Sequence, residues 1–237
     1  MSQFKQQYDH LWTNLTGDQE AHRKAVGGDF ETVGYLEFQL LRMVGLRPDS
    51  FVIDVGCGSG RLAAQLAPWL SGPYLGTDIM GSLLDYARTL CGRPDWSFLE
   101  TDGFEVPAND GGADFIVFFS VFTHLSHEDT WKYIQEAHRV LKPGGKLVCS
   151  FLEFAVVSHW TIFINTANDP APDKILNQFL SRDALVAFAE NAGFAVESFL
   201  DGDKANIPID RELTWQNGAR MTGSGSLGQS TCVLVKR

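Results

Sequence analysis

The stretch VIDVGCGSGRLAAQL, Val52 to Leu66, restricts the fold more than any other part of this chain. A β-branched apolar run ends in Asp54, glycines stand at Gly56, Gly58 and Gly60, and a helix-like segment begins at Arg61. A short run that is apolar on both faces predicts a strand buried inside a parallel sheet. Glycines at alternate positions between a strand and a helix mean that something approaches the backbone closely.

The flanking sequence repeats the same logic. EFQLLRMVGL has helical spacing and is broken by RPDS before the FVIDVG strand. RLAAQLAPWL reads as a helix, PYLGTDI as a strand, SLLDYARTLC as a helix, and WSFLETD and ADFIVFFSVF as strands. In SHEDTWKYIQEAHRVL, Ser126 and Asp129 make a capping box, and Trp131, Ile134 and Leu141 share a face. KPGG is expected to stop that helix before the strand KLVCSFLEF. Alternating strands and helices predict an α/β, doubly wound sheet. The last third departs from the alternation: FAVVSHWTIFINTANDPAPDKILNQF is longer than a crossover loop, SRDALVAFAENAGF reads as a helix, and AVESFL as a strand. A polar stretch then precedes a final strand, STCVLVKR, which predicts an antiparallel hairpin at one edge.

The glycine loop selects among ligands. A Walker-type phosphate loop needs a lysine and a Ser/Thr after its glycines, where this chain has Arg61 and Leu62. The dinucleotide fingerprint needs a third glycine one position later, where Arg61 stands. Asp78, at the end of PYLGTD, can hold ribose hydroxyls in either a nucleotide or another nucleoside scheme. The spacing favours a ligand without phosphate.

VIDVGCGSGRLA resembles the first motif of the class I S-adenosylmethionine-dependent methyltransferases of the small-molecule type, and later motifs follow in the same order. FLETDGF, ADFIVFFSVFTHL and RVLKPGGKLV are similar to that family's segments around the third, fourth and fifth strands. The resemblance implies a doubly wound, mostly parallel seven-stranded sheet with helices on both faces and an antiparallel edge hairpin. It implies S-adenosyl-L-methionine as cofactor, bound by Asp54, Gly56, Cys57, Gly58, Gly60, Asp78, Ile79, Asp102, Gly103, Phe104 and Phe119. Within that set Asp78 is expected on the ribose, Asp102 on the adenine amino group and Ile79 over an adenine face; Asp114 reads as structural.

Residues 1–30 resemble an N-terminal lid, with Tyr8, His10 and Trp12 as its aromatic members, and residues 31–237 read as the methyltransferase domain. Insertions near 155–180 and 201–229 would gather at the carboxyl edge of the sheet. Tyr8, Trp12, Glu153, His159 and Trp160 are candidates for substrate binding. His124, just past the fourth strand, titrates in the range of a general base and is the catalytic candidate. His127 reads as helix-start decoration. The expected reaction is O-methylation of a small molecule, with N-methylation next. A nicotinamide-dependent oxidoreductase and a non-catalytic S-adenosylmethionine-binding module are the alternatives.

Composition bears on the acceptor. The 237 residues carry a net charge of −10 with no basic stripe, which argues against a nucleic-acid substrate. FSVFTH also replaces the Asn/Asp-Pro-Pro-aromatic run of the base-methylating members of the family. No carboxylate and histidine cluster has metal-ligand spacing. Four scattered cysteines, a start without a signal-peptide core, and apolar runs short of the roughly 20 residues that span a bilayer predict a cytoplasmic chain with no membrane partner.

Overall fold

A computed structural model describes residues 19–171, 174, 177–215 and 218–237. Tyr8, His10 and Trp12 lie outside these residues.

The chain divides into two compact units. The first comprises Met1–Gly103 and Ala205–Leu227. It holds helices α1 (Gln19–Ala25), α2 (Phe30–Met43), α3 (Arg61–Leu66) and α4 (Gly81–Cys91), and strands β1 (Val52–Val55), β2 (Tyr74–Asp78) and β3 (Ser97–Glu100). β1 pairs in parallel with β2, and β2 with β3. All four residues of β1 are buried, as a two-faced apolar run requires. Asp29 caps α2 by accepting from the Thr32 amide, and that helix buries Phe30, Leu36, Leu40 and Leu41. α3 stops at Leu66, short of the expected Leu70, because Pro68 has no amide to extend it. The polar stretch before the final strand folds in part: β7 (Ile207–Pro208) pairs with β10 (Ser224–Gly225), and β8 (Leu213–Thr214) with β9 (Arg220–Met221).

The second unit comprises Phe104–Lys204 and Gly228–Arg237. It holds β4 (Ala113–Phe118), a 3-10 turn (Phe122–His124), α5 (His127–Val140), β5 (Leu141–Phe151), α6 (Val157–Asn168), α7 (Arg182–Ala192), β6 (Phe194–Leu200) and β11 (Ser230–Lys236). β4 and β5 are parallel, and β11 runs antiparallel to both β5 and β6. Ser126 caps α5 as expected, its hydroxyl accepting from the Asp129 amide. Two expectations shift. Leu141 belongs to β5, and KPGG forms an irregularity within that strand, between the pairs Ala113–Leu141 and Phe115–Lys146. β4 ends at Phe118, because Ser120 takes a left-handed φ of 60° that turns the chain. α6 was not anticipated.

The strands form one seven-stranded sheet in the order β3-β2-β1-β4-β5-β11-β6, with the β6–β11 antiparallel pair at its edge. This is the expected doubly wound, mostly parallel α/β architecture. Among the described residues no helix is long and apolar enough to cross a membrane.

Candidate functional site

In the first unit the loop after β1 is a backbone construction. Gly56, Gly58 and Gly60 take φ values of 71°, 54° and 83°, a left-handed region that glycine enters without steric cost. Asp78, at the tip of β2, braces this loop: its Oδ2 accepts from the Gly58 amide at 2.8 Å and its Oδ1 from the Met80 amide at 2.9 Å. Burial raises the pKa of Asp78 while those amides pull it down.

Asp54 lies below the loop, 3% exposed, and its Oδ2 accepts from the Tyr74 hydroxyl at 2.8 Å. Burial pushes its pKa up to about 7, against the Tyr74 hydrogen bond; the Glu37 charge raises it further and Arg61 lowers it. Cys57 is buried, and burial with the nearby Asp54 and Asp78 charges holds its thiol well above the usual range, so it is an inert packing group. Ile79 is half-buried beside Asp78. Asp102 and Gly103 are exposed just beyond β3.

Sequence reasoning missed the partner of Arg61. Its Nη2 and Nε donate to Glu37 on α2 at 2.5 and 3.2 Å, both side chains being buried. The loop's cation is thereby neutralised. What remains at the loop is amide donors and the carboxyl of Asp78, a set with acceptors for a hydroxyl-bearing ligand and no unpaired cation for a pyrophosphate. The Ser59 hydroxyl is buried and finds no hydrogen-bond partner among the described residues, so the loop holds spare polar capacity.

In the second unit Phe119 is buried just beyond β4, and Phe104 packs edge-on against Tyr133 at 5.1 Å with Lys132 over its ring. The backbone turns at Ser120, whose amide donates to Ser150 Oγ at 2.7 Å. Gln229 spans the same turn, accepting from Ser150 Oγ at 2.6 Å and donating to Ser120 Oγ at 3.2 Å. A non-glycine residue held left-handed at a strand tip is the kind of local strain that collects at functional sites, and a serine in the sequence gives no sign of it. His124 ends the 3-10 turn that follows and is half-buried. Thr123 O accepts from the Gln178 amide at 2.7 Å, and exposed His127 bonds Phe179 O at 3.2 Å, so this turn is laced to the end of the long insertion. Asp114 pairs with Lys142.

Three substrate candidates diverge. Glu153 is buried beside a cavity of about 590 Å³ that Phe154, Arg182, Asp201 and Lys204 also line. Its carboxylate is spent on Arg182, at 2.7 and 3.0 Å, and on the Ser230 hydroxyl at 2.5 Å. His159 is a correction: it is fully buried, its Nδ1 accepts from the Glu153 amide at 3.0 Å and its Nε2 donates to Gly228 O at 2.9 Å. No ring nitrogen is left for a substrate. Trp160 is 48% exposed and stacks on Phe163 at 5.0 Å, next to Phe154, itself 56% exposed and stacked on Phe179 at 4.5 Å.

The family model for methyltransferase domains matches residues 53–149. A demethylmenaquinone methyltransferase of Symbiobacterium thermophilum is 28% identical over 134 residues, 50% of this chain and 52% of that protein. An O-methyltransferase of Penicillium expansum is 26% identical over 216 residues, 84% of this chain and 72% of that protein. The chain spans about half the length of most curated relatives it matches. The fold is shared with the magnesium protoporphyrin IX methyltransferase of Synechocystis PCC 6803, solved with bound SAH, at a TM-score of 0.62 and 14% identity, covering 100% of this chain and 95% of that one.

Proposed function

We propose that this protein, whose residues 53–149 match the family model for methyltransferase domains, is a class I S-adenosylmethionine-dependent methyltransferase that methylates a small-molecule acceptor, at oxygen in the first instance and otherwise at nitrogen. The observation that carries the reading is the polar pattern of the glycine loop: Arg61 is paired with Glu37, while Asp78 at the tip of β2 sets its carboxyl against the Gly58 amide. A nucleotide carrying phosphates would meet no free cation among loop residues 56–61, whereas an aminoacyl nucleoside without phosphate brings ribose hydroxyls that the Asp78 carboxyl can accept from.

The cofactor, when bound, supplies an electrophilic methyl group. The chain's own work is then mostly positioning. Gly56, Cys57, Gly58 and Gly60 would offer backbone to the amino-acid portion, with Asp54 beneath them holding the loop's shape. Asp78 already accepts one amide on each oxygen, and its remaining lone pairs would take the ribose hydroxyls. Asp102, Gly103, Phe104, Ile79 and Phe119 are assigned to the adenine side. His124 would accept the proton that an acceptor hydroxyl loses, as a general base at the end of the 3-10 turn.

Trp160 and Glu153 are assigned to the acceptor side, Glu153 through its ion pair with Arg182 and not as a free base. Residues 1–30 would serve as a lid. The net charge of −10 weighs against a nucleic-acid acceptor.

Thermal unfolding with S-adenosylhomocysteine tests the reading directly. Ligand at about 100 times its dissociation constant stabilises the folded state by about 2.7 kcal/mol, so the melting temperature rises by several degrees. No shift at millimolar concentration, or a shift with NAD instead, overturns the assignment. Incubation with labelled methyl donor and a fractionated metabolite pool then identifies the acceptor atom.

A further inference from the structure

The bidentate pair between Arg61 and Glu37 reaches further than charge neutralisation. Arg61 is the first residue of α3, and its Nη1 also donates to the carbonyls of Val26 and Gly27 at 3.1 and 3.0 Å. One guanidinium thus joins α2, α3 and the turn that follows α1. The helices meet at Gly34, one turn before Glu37: a Cβ there would lie 2.5 Å from the Arg61 carbonyl oxygen. The turn in its place covers the glycine loop, because a Cβ on Gly58 would lie 2.4 Å from Val26 Cγ1. An unbroken set of contacts therefore runs from Glu37 through Arg61 and Val26 to Gly58.

Stability alone is a poor reason for such a pair. Burying a guanidinium and a carboxylate costs about as much desolvation as their attraction returns, and apolar residues of the same volume often do as well. What the fork adds is direction. It presents donors in a fixed plane, two to Glu37 and one shared by adjacent carbonyls, so the Val26–Gly27 turn has one favoured position.

We propose that Arg61 and Glu37 are positioning residues that lock the Val26–Gly27 turn onto Gly58, so that the glycine loop holds its binding shape before the methyl donor arrives. The inference rests on reading that loop as the donor site. Neither side chain need touch the donor; both act through Val26 and the loop backbone. Preorganisation of this kind appears as affinity, because a loop already in shape loses less freedom on binding.

The test compares wild-type protein with Arg61→Lys, which keeps the charge and loses the fork, and with Val26→Gly, which keeps the pair and loses the contact on Gly58. Two quantities are read well below each variant's melting temperature: S-adenosylhomocysteine affinity by calorimetry, and the rate of tryptic cleavage after Arg23 and exposed Lys24 in α1. Arg61→Lys is expected to bind about tenfold more weakly and to be cut about tenfold faster without ligand, from the loss of roughly one hydrogen bond's worth of preference. Val26→Gly is expected to weaken binding severalfold. Folded Arg61→Lys with wild-type affinity and wild-type cleavage overturns the proposal. If Arg61→Lys does not fold, wild-type affinity in Val26→Gly overturns it. Wild-type protein that binds no S-adenosylhomocysteine refutes the donor-site reading itself, a result distinct from equal binding by wild type and variants.

Discussion

Two segments follow central strands of this molecule and are built by opposite means. Residues 56–61, after β1, are shaped by left-handed backbone, by the Gly58 amide donating to Asp78, and by a buried guanidinium. Residues 152–164, after β5, turn on the buried pair Glu153–His159 and then leave Phe154, Val157, Trp160 and Ile164 between 38% and 82% exposed. The first segment presents main-chain groups in a conformation that only a few residue types permit. The second offers generic apolar side chains, which many sequences could supply. A donor common to a reaction class suits the first construction, and a variable acceptor suits the second.

The sharpest break in that contrast comes from Asp78→Ala. If Asp78 both braces Gly58 and receives the ribose hydroxyls, its loss removes charge-assisted bonds, each contributing about 1.5–3 kcal/mol. S-adenosylhomocysteine affinity should fall about 10- to 100-fold while circular dichroism stays that of the wild type. Unchanged affinity would show that the ribose is held elsewhere, and that the brace is purely structural.

A smaller effect probes how deeply the strand that leads into the first segment is buried. Folding raises Asp54 from 3.8 to about 7 because the site is dry. Between those values the folded chain keeps a proton that the unfolded chain has released. The contribution of Asp54 is therefore fully present below pH 3.8 and is lost as pH rises through about 7. Stability of the wild type relative to Asp54→Asn should decline across that window, by at most about 1.4 kcal/mol per pH unit. Glu37 and Asp78 are raised by burial too, so the quantity read is the difference against Asp54→Asn, measured by urea unfolding at pH 5 and pH 8, which carries Asp54 together with its coupling to those two charges. A constant difference would mean that Asp54 is solvated.

The same contrast explains what could be read from the residues. The sheet, its helices and the glycine turn after β1 were legible because buried two-faced strands, glycines at forced φ and the Ser126 cap each leave a mark in sequence. Glu37 was not, since a glutamate within an amphipathic helix looks like surface until its partner 24 residues away is known. His159 misled for the complementary reason: a polar residue beside aromatics resembles a ligand, and only the backbone groups of Glu153 and Gly228 reveal that its ring is fully engaged. α6 escaped because its apolar residues are mostly exposed, so no buried stripe marks it as a packed helix.

The smallest predicted effect separates packing from function in the second segment. Trp160 is half in solvent, and its ring contacts are with Phe154 and Phe163, the former more exposed than itself. Truncating a side chain in that position leaves no cavity, so Trp160→Ala should change unfolding stability by no more than about 0.5 kcal/mol. A core tryptophan would cost about 3–5 kcal/mol. If the ring receives the acceptor, the same variant should bind S-adenosylhomocysteine normally and raise the KM of the identified acceptor about tenfold, since an aromatic contact of 0.5–1.5 kcal/mol beyond its buried area is lost along with that area. A large drop in stability would show that α6 packs as core does. An unchanged acceptor KM would return the exposed aromatics to plain surface and move the acceptor to other residues.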